Sequence, residues 1–287
     1  MQEWTACIIT YNPDIKIFEK CVAAAALQIK EIIVWDNNSE NIQMIKRVIE
    51  DTDKYVTEGS GKPDIRLIAC TKNAGIGAAL NCIFTKAEKA GKKWVLTLDQ
   101  DSVIPANMMK EYEKYTRYSN IGILSCMTLD RNAVIAGKQQ EECKTGIELV
   151  KESITSGALT SIEAWRAAGG FDSRLFIDYV DRDFCMKLKK IGYCMLRVND
   201  VQMSHAIGKI KRIRFPGKDI IIYNHSAFRK YHQIRNMIYL DRKYKERITF
   251  KSIFHFWIMI IKIILWETDK RQKIMVCIAG FRDGRKL

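Results

Sequence analysis

The sequence predicts an α/β fold in which a mainly parallel central sheet is flanked by helices and followed by a helical C-terminal region. Three observations carry that expectation. Short apolar runs alternate with segments of helical spacing through the first half of the chain. Four of those runs end directly in a polar cluster. Beyond about residue 208 the strand pattern gives way to long segments of helical period.

The elements follow in order. Trp4–Thr10 is an apolar run stopped by Tyr11-Asn12-Pro13-Asp14, and 15–29 has helical spacing. Residues 31–35 form a second buried-type strand, closed by Asp36-Asn37-Asn38-Ser39 and followed by a helix of about three turns. A third strand at 65–70, a helix at 76–90 and a fourth strand at 94–98 lead into Asp99-Gln100-Asp101. Pro105 is expected at the first turn of the next helix, where its missing N–H costs nothing. Residues 122–128 read as a strand, 131–145 as a polar excursion, and 156–170 as a small-residue turn entering a helix. Residues 178–191 begin acidic and become helical, and two or three C-terminal helices are expected, near 226–244, 250–266 and 269–280.

Alternating strands and helices imply a sheet covered on both faces, whose ligand sits outside the carboxyl ends of the strands. The polar clusters obey that rule, because Tyr11-Asn12, Asp36-Asn37-Asn38, Asn73-Ala74-Gly75 and Asp99-Gln100-Asp101 each follow a strand. Their convergence argues for a nucleotide-type pocket.

Composition narrows the class. The chain has 287 residues, 47% apolar and 28% charged, enough for a sizeable core. Only 16 Gly and 4 Pro exclude a low-complexity or fibrous chain. The nine cysteines are scattered without a Cys-x-x-Cys, so neither a zinc site nor a disulfide framework is spelled out. The first residues lack a basic stretch followed by a long apolar run, which predicts a cytoplasmic chain without a secretory signal. The apolar stretch 253–266 is interrupted by His255 and Lys262 and falls short of the roughly 20 residues a membrane span needs. Net charge is +14, and the excess is concentrated between 209 and 251, which suggests phosphate-rich partners.

Three motifs bear chemistry. Asp99 and Asp101, two residues apart at a strand end, can address one hard cation shared with substrate phosphates. An isolated pair of this kind is more often a turn with a helix cap, but its place in the alternation favours a metal. The run Asn73-Ala-Gly75-Ile-Gly77-Ala-Ala79-Leu-Asn81 approaches a dinucleotide fingerprint but fails at Leu80 and follows the third strand instead of the first. Asp178-Tyr179-Val180-Asp181-Arg182-Asp183 puts three carboxylates at a helix start. On the residues alone, a catalytic base and simple complementation of the helix dipole, at about 0.3–1 kcal/mol per acid, weigh equally.

Taken together the chain resembles the family 2 inverting glycosyltransferases of GT-A fold. The resemblance is carried by Thr10-Tyr11-Asn12-Pro13, Asp36-Asn37-Asn38-Ser39, the Asn73–Asn81 run, Asp99-Gln100-Asp101-Ser102 and Thr155-Ser156-Gly157. It continues through Gly169-Gly170-Phe171-Asp172, Phe176-Ile177-Asp178-Tyr179-Val180-Asp181, His205-Ala-Ile-Gly208 and Gly280-Phe-Arg-Asp-Gly284. The phrases around Asp178 and Asp99 look most like the bacterial branch that uses dTDP-L-rhamnose to build surface polysaccharides. Val180 stands where many members carry Glu, so one aspartate of the usual pair is left.

The resemblance implies a GT-A catalytic domain at 1–207, with 1–103 serving the nucleotide and 104–207 the acceptor, and a basic helical region at 208–287. It implies that Thr10, Tyr11, Asn12, Asp36, Asn73, Gly75, Asp99 and Gln100 bind the nucleotide sugar. Asp101, Asp99 and His205 would hold Mg²⁺ or Mn²⁺. Asp181 would be the base, with Asp178 as its substitute, and the acceptor would be a glycan or polyprenyl-diphosphate-linked glycan at the cytoplasmic membrane face.

Phe254, Trp257, Ile258, Ile261 and Leu265 share one helical face beside basic residues, which suits peripheral contact with an anionic membrane or a homodimer interface equally. Another nucleotide sugar, linked to UDP or GDP, is the alternative donor. A nucleotidyltransferase lacks its Gly-rich basic phosphate loop here, and a nucleic-acid-binding protein leaves the acidic strand ends unexplained.

Overall fold

The computed structural model describes residues 3–51, 62–130, 145–205, 211–215 and 218–287. The chain packs as two compact units, Met1–Ser173 with Asp181–Ala206, and Arg174–Val180 with Ile207–Leu287.

The first unit opens with β1 (Trp4–Thr10), α1 (Ile15–Ala26), β2 (Glu31–Asp36), α2 (Ile42–Glu50), β3 (Asp64–Ala69), α3 (Ile76–Lys89) and β4 (Trp94–Asp99). It continues with α4 (Met108–Glu113), β5 (Ile121–Asp130), β6 (Ile147–Leu149), β7 (Ala158–Ser161), α5 (Ile162–Ala167), α6 (Val180–Lys190) and β8 (Cys194–His205). The strands form one sheet in the order β3-β2-β1-β4-β7-β5-β8-β6. β1, β2, β3 and β4 are parallel neighbours, β5 is parallel to β8, and β7 and β6 run against their neighbours.

Residues that alternate along a strand face opposite sides. Ala6 and Ile8 of β1 share one core with Val34, Leu96, Phe18, Cys21, Val22 and Ala25, while Cys7 between them is equally buried. Both faces are therefore covered, which explains apolar runs without polar alternation. Asp14 caps α1 by accepting from the N–H of Lys16 (3.0 Å) and Ile17 (3.2 Å).

Two expectations are corrected. Pro105 does not open a helix at its first turn; α4 starts three residues later, after a turn in which the Pro105 carbonyl accepts from Met108 N (3.1 Å) and Gln28 Nε2 (3.0 Å). The turn expected at 156–170 contains a fully buried four-residue strand, β7, because its backbone fills the gap between β4 and β5. Residues 131–144 of the polar excursion expected at 131–145 lie outside the described residues, as do Lys209 and residues 206–208.

The second unit holds a hairpin, β9 (Lys211–Phe215) with β10 (Lys218–Ile222), and the helices α7 (Ala227–Lys245), α8 (Phe250–Trp266) and α9 (Lys270–Gly284). Gly280 and Gly284 let α9 approach α7 closely. A Cβ on Gly280 would stand 2.6 Å from the Tyr231 carbonyl oxygen, and one on Gly284 would overlap that of Arg235. Beside this contact the Tyr231 hydroxyl donates to Asp283 Oδ2 at 2.9 Å.

Candidate active site

β1 sends the chain to β2 and β3 on one side before it returns to β4 on the other. The reversal leaves a crevice at the carboxyl ends of β1 and β4, where open α/β sheets bind ligands. Register brings the acidic ends there, with Asp36 opposite Thr10 and Asp99 opposite Ile9.

Short hydrogen bonds stitch these ends together. The buried Asp36 carboxylate accepts from Thr10 Oγ1 (2.9 Å), Ser39 N (2.9 Å) and the Ser39 hydroxyl. Tyr11 N donates to Gln100 Oε1 (2.8 Å), and Asn12 N to Ser39 Oγ (2.8 Å). Asn12 itself is left-handed at φ 48° and accepts at Oδ1 from Glu40 N (2.8 Å). Tyr11 is exposed at the rim. After β3, Asn73 Oδ1 accepts from Gly75 N (2.9 Å), and Gly75 at φ 82° begins α3, a turn that L side chains resist. Thr10, Tyr11, Asn12, Asp36, Asp99 and Gln100 are thus joined at one edge, with Asn73 and Gly75 at the end of the next parallel strand.

Asp101 lies one turn beyond β4, half-buried, and no hydrogen bond engages its carboxylate among the described residues. Its neighbour Ser102 is buried and bonds the Ser156 hydroxyl, while Gly157 N donates to Thr97 O (2.8 Å). Thr155-Ser156-Gly157 is therefore fastened beside Asp101, and Gly157 at φ 76° leaves no room for a Cβ against Cys126 Sγ. Below this edge, burial pushes the Cys7 and Cys21 thiols up to about 12, with Asp99 adding to the effect.

A divalent cation can be tested against these donors. Among the described residues no three His, Cys, Asp or Glu side chains form a closed cage. Asp99 and Asp101 instead offer hard oxygens on an open edge, the donor set of an ion that keeps room for phosphate oxygens. These residues fit Mg²⁺ or Mn²⁺ in that form. The backbone of His205 ends β8 opposite Asp130, at the same carboxyl edge, and its side chain lies outside the described residues.

Asp181 stands in the first turn of α6, half-buried, and accepts at Oδ1 from Arg182 N (2.8 Å). Asp178 belongs to the second unit, where Arg229 grips both its oxygens, Nε at 3.1 Å and Nη2 at 2.9 Å. Sequence reasoning missed that partner, 51 residues away and read only as one charge in a basic run. It also missed what Asn81 does: its amide bonds both N and O of Phe171 (2.8 Å each) and Trp165 Nε1 (3.1 Å), stapling the Gly169-Gly170-Phe171-Asp172 loop to α3.

Residues 5–123 match the model of glycosyl transferase family 2, a span that contains the ends of β1 to β4. The dTDP-rhamnosyl transferase RfbF of Shigella flexneri is 29% identical over 250 residues, which is 83% of this chain and 79% of that protein. Among solved structures, residues 1–349 of S. aureus TarS superpose with a TM-score of 0.55 at 14% identity over 99% of this chain and 72% of that one. GalNAc-T7, solved with UDP, GalNAc and Mn²⁺, gives a TM-score of 0.60 at 11% identity, covering 100% and 56%. The sheet with its acidic carboxyl edge has the GT-A fold, and residues 5–123 form a glycosyl transferase family 2 domain.

Proposed function

We propose that the chain transfers L-rhamnose from dTDP-L-rhamnose, with inversion, to a polyprenyl-diphosphate-linked glycan on the cytoplasmic face of a membrane. The donor follows the relative in Shigella, whose name is that of a dTDP-rhamnosyl transferase. The observation that supports the reading is the junction of the β1, β2 and β4 ends, where Asp36 accepts from Thr10 and Gln100, one residue before Asp101, accepts from Tyr11 N. In this reading residues 1–103 hold the nucleotide, 104–207 meet the acceptor, and 208–287 serve the membrane.

Thr10, Asp36 and Ser39 set the pocket floor, and Tyr11, Asn12, Asn73 and Gly75 line it for base and ribose. Asp99 and Asp101, with His205, would hold the cation, which would supply Lewis-acid stabilisation of the diphosphate charge. Asp181 takes the proton of the acceptor hydroxyl as that oxygen bonds to the anomeric carbon. The bond from that carbon to the phosphate oxygen breaks in the same step, which inverts the centre and releases dTDP. Carboxylates suit the oxocarbenium character of such a transition state. Asp178 is the poorer candidate because both its oxygens are engaged by the Arg229 guanidinium.

A second donor class has one observation in its favour: TarS was also solved with UDP-GlcNAc. Incubation of the chain with lipid extract and dTDP-L-rhamnose, UDP-GlcNAc or GDP-mannose, following nucleoside diphosphate release, tests the reading. Release from dTDP-L-rhamnose alone supports it, and release from UDP-GlcNAc alone refutes the donor.

The membrane reading rests on α8, which exposes Phe250, Phe254, Trp257, Ile261 and Leu265. Exposed Lys245 and Arg247 lie just before it, Lys251 in its first turn, and Lys270 and Arg271 just after it. No helix among the described residues is long and apolar enough to cross a membrane.

A further inference from the structure

We propose that α7 acts as a clamp that sets the conformation of the chain entering Asp181, with Asn236 and Arg229 as positioning residues. The inference rests on Asp181 being the base.

One face of α7, at spacings of three and four, engages the segment Arg174–Val180 almost residue by residue. The Arg229 guanidinium holds both oxygens of Asp178. His232 stacks on Phe176 at 5.4 Å between ring centroids. Asn236, fully buried, donates from Nδ2 to the carbonyls of Ile177 (2.8 Å) and Asp178 (2.9 Å). Tyr239 lies under the Arg174 guanidinium at 4.9 Å. The glycine contacts with α9 brace α7 from behind.

The gripped segment has an unusual backbone. Asp178 and Tyr179 are consecutive and both left-handed, at φ 61° and 68°. Such a pair is uncommon for L residues and most of all for an aromatic one, so it persists only where surrounding contacts over-determine it. Val180 then starts α6, and Asp181 is its second residue. Two left-handed residues set the backbone immediately before Val180 and Asp181, so whatever fixes them fixes the turn from which α6 starts. Asn236 holds the two carbonyls immediately before Tyr179, and Arg229 holds the side chain between them. The bland alternative is that these contacts only stabilise the second unit.

Steady-state kinetics of the full chain separate the two. Misplacing a reacting group by about 1 Å can cost about 10²-fold. Asn236→Ala is therefore expected to lower kcat about 10²-fold, to leave the donor KM within about twofold, and to shift the acidic limb of the kcat–pH profile. Arg229→Lys keeps the charge but loses the two-pronged grip, and should lower kcat in the same direction. In a Tyr179→Gly background, where glycine accepts positive φ freely, Asn236→Ala should cost less than about tenfold, as coupled sites do. Unchanged kcat and pH profile in both single variants, alongside inactive Asp181→Asn, overturn the clamp and leave the base standing. An equal loss with and without Tyr179→Gly, tracking a lowered Tm, likewise overturns it. Full turnover by Asp181→Asn removes the base reading itself.

Discussion

Asp36 and Asp101 stand at the same sheet edge but are held differently, and their substitutions should separate accordingly. Asp36 is buried and accepts from Thr10 and Ser39, so Asp36→Ala leaves several donors unpaired, at about 1–3 kcal/mol. That variant should raise the donor KM and also lower Tm. Asp181→Asn preserves shape and removes the proton acceptor, so turnover should fall on the order of 10²–10⁴-fold while donor binding persists. Retained turnover with Asp181→Asn together with its loss in Asp178→Asn would contradict the assignment. At this scale the sequence was legible where a residue's place in the fold follows from a strand end, as for Asp99 and Asp101. It was silent on Arg229 and Asn236, because their partners come from a segment more than 50 residues away.

Between elements, the corner joining α7 to α8 depends on one carboxylate. Asp241 accepts from Lys245 Nζ (2.8 Å), Thr249 N (2.8 Å) and Thr249 Oγ1 (2.6 Å), and Thr249 in turn caps α8. Burial pushes this carboxyl up, but the bonds from Lys245, Ser252 and Thr249 outweigh it and hold the group at about 2, below the ordinary 3.8. A lowered folded-state value means stability that is complete above about pH 4 and is lost as pH falls from there toward 2. Asp241→Asn should therefore melt below wild type at pH 7, with the difference closing as pH approaches 2. A difference in Tm that persists unchanged at pH 2 would argue against the charged corner. The long parallel strands were readable because burial on both faces makes them continuous apolar runs. β7 was not, since four residues of antiparallel pairing leave no periodicity to read. The β9–β10 hairpin was hidden in the same way inside a basic run.

For the whole molecule, the +14 charge and the bare face of α8 bear on where it works. Each Lys or Arg near an anionic leaflet contributes about 1 kcal/mol, and the exposed aromatic and aliphatic side chains can enter the interface. Flotation should show binding to vesicles of anionic lipid at low salt, reversed by high salt, and none to neutral vesicles. No flotation together with a dimer mass in light scattering would assign the face to self-association. The central claim, however, concerns the carboxyl edge of the sheet as a nucleotide-sugar site served by Asp101. Calorimetric titration of dTDP-L-rhamnose into the wild-type chain and Asp101→Ala, each with Mn²⁺ and with EDTA, tests it directly. The account predicts saturable binding by wild type that weakens in EDTA, and Asp101→Ala that folds normally yet gains nothing from Mn²⁺. Equal affinity in all four titrations, or no binding by wild type, would contradict it.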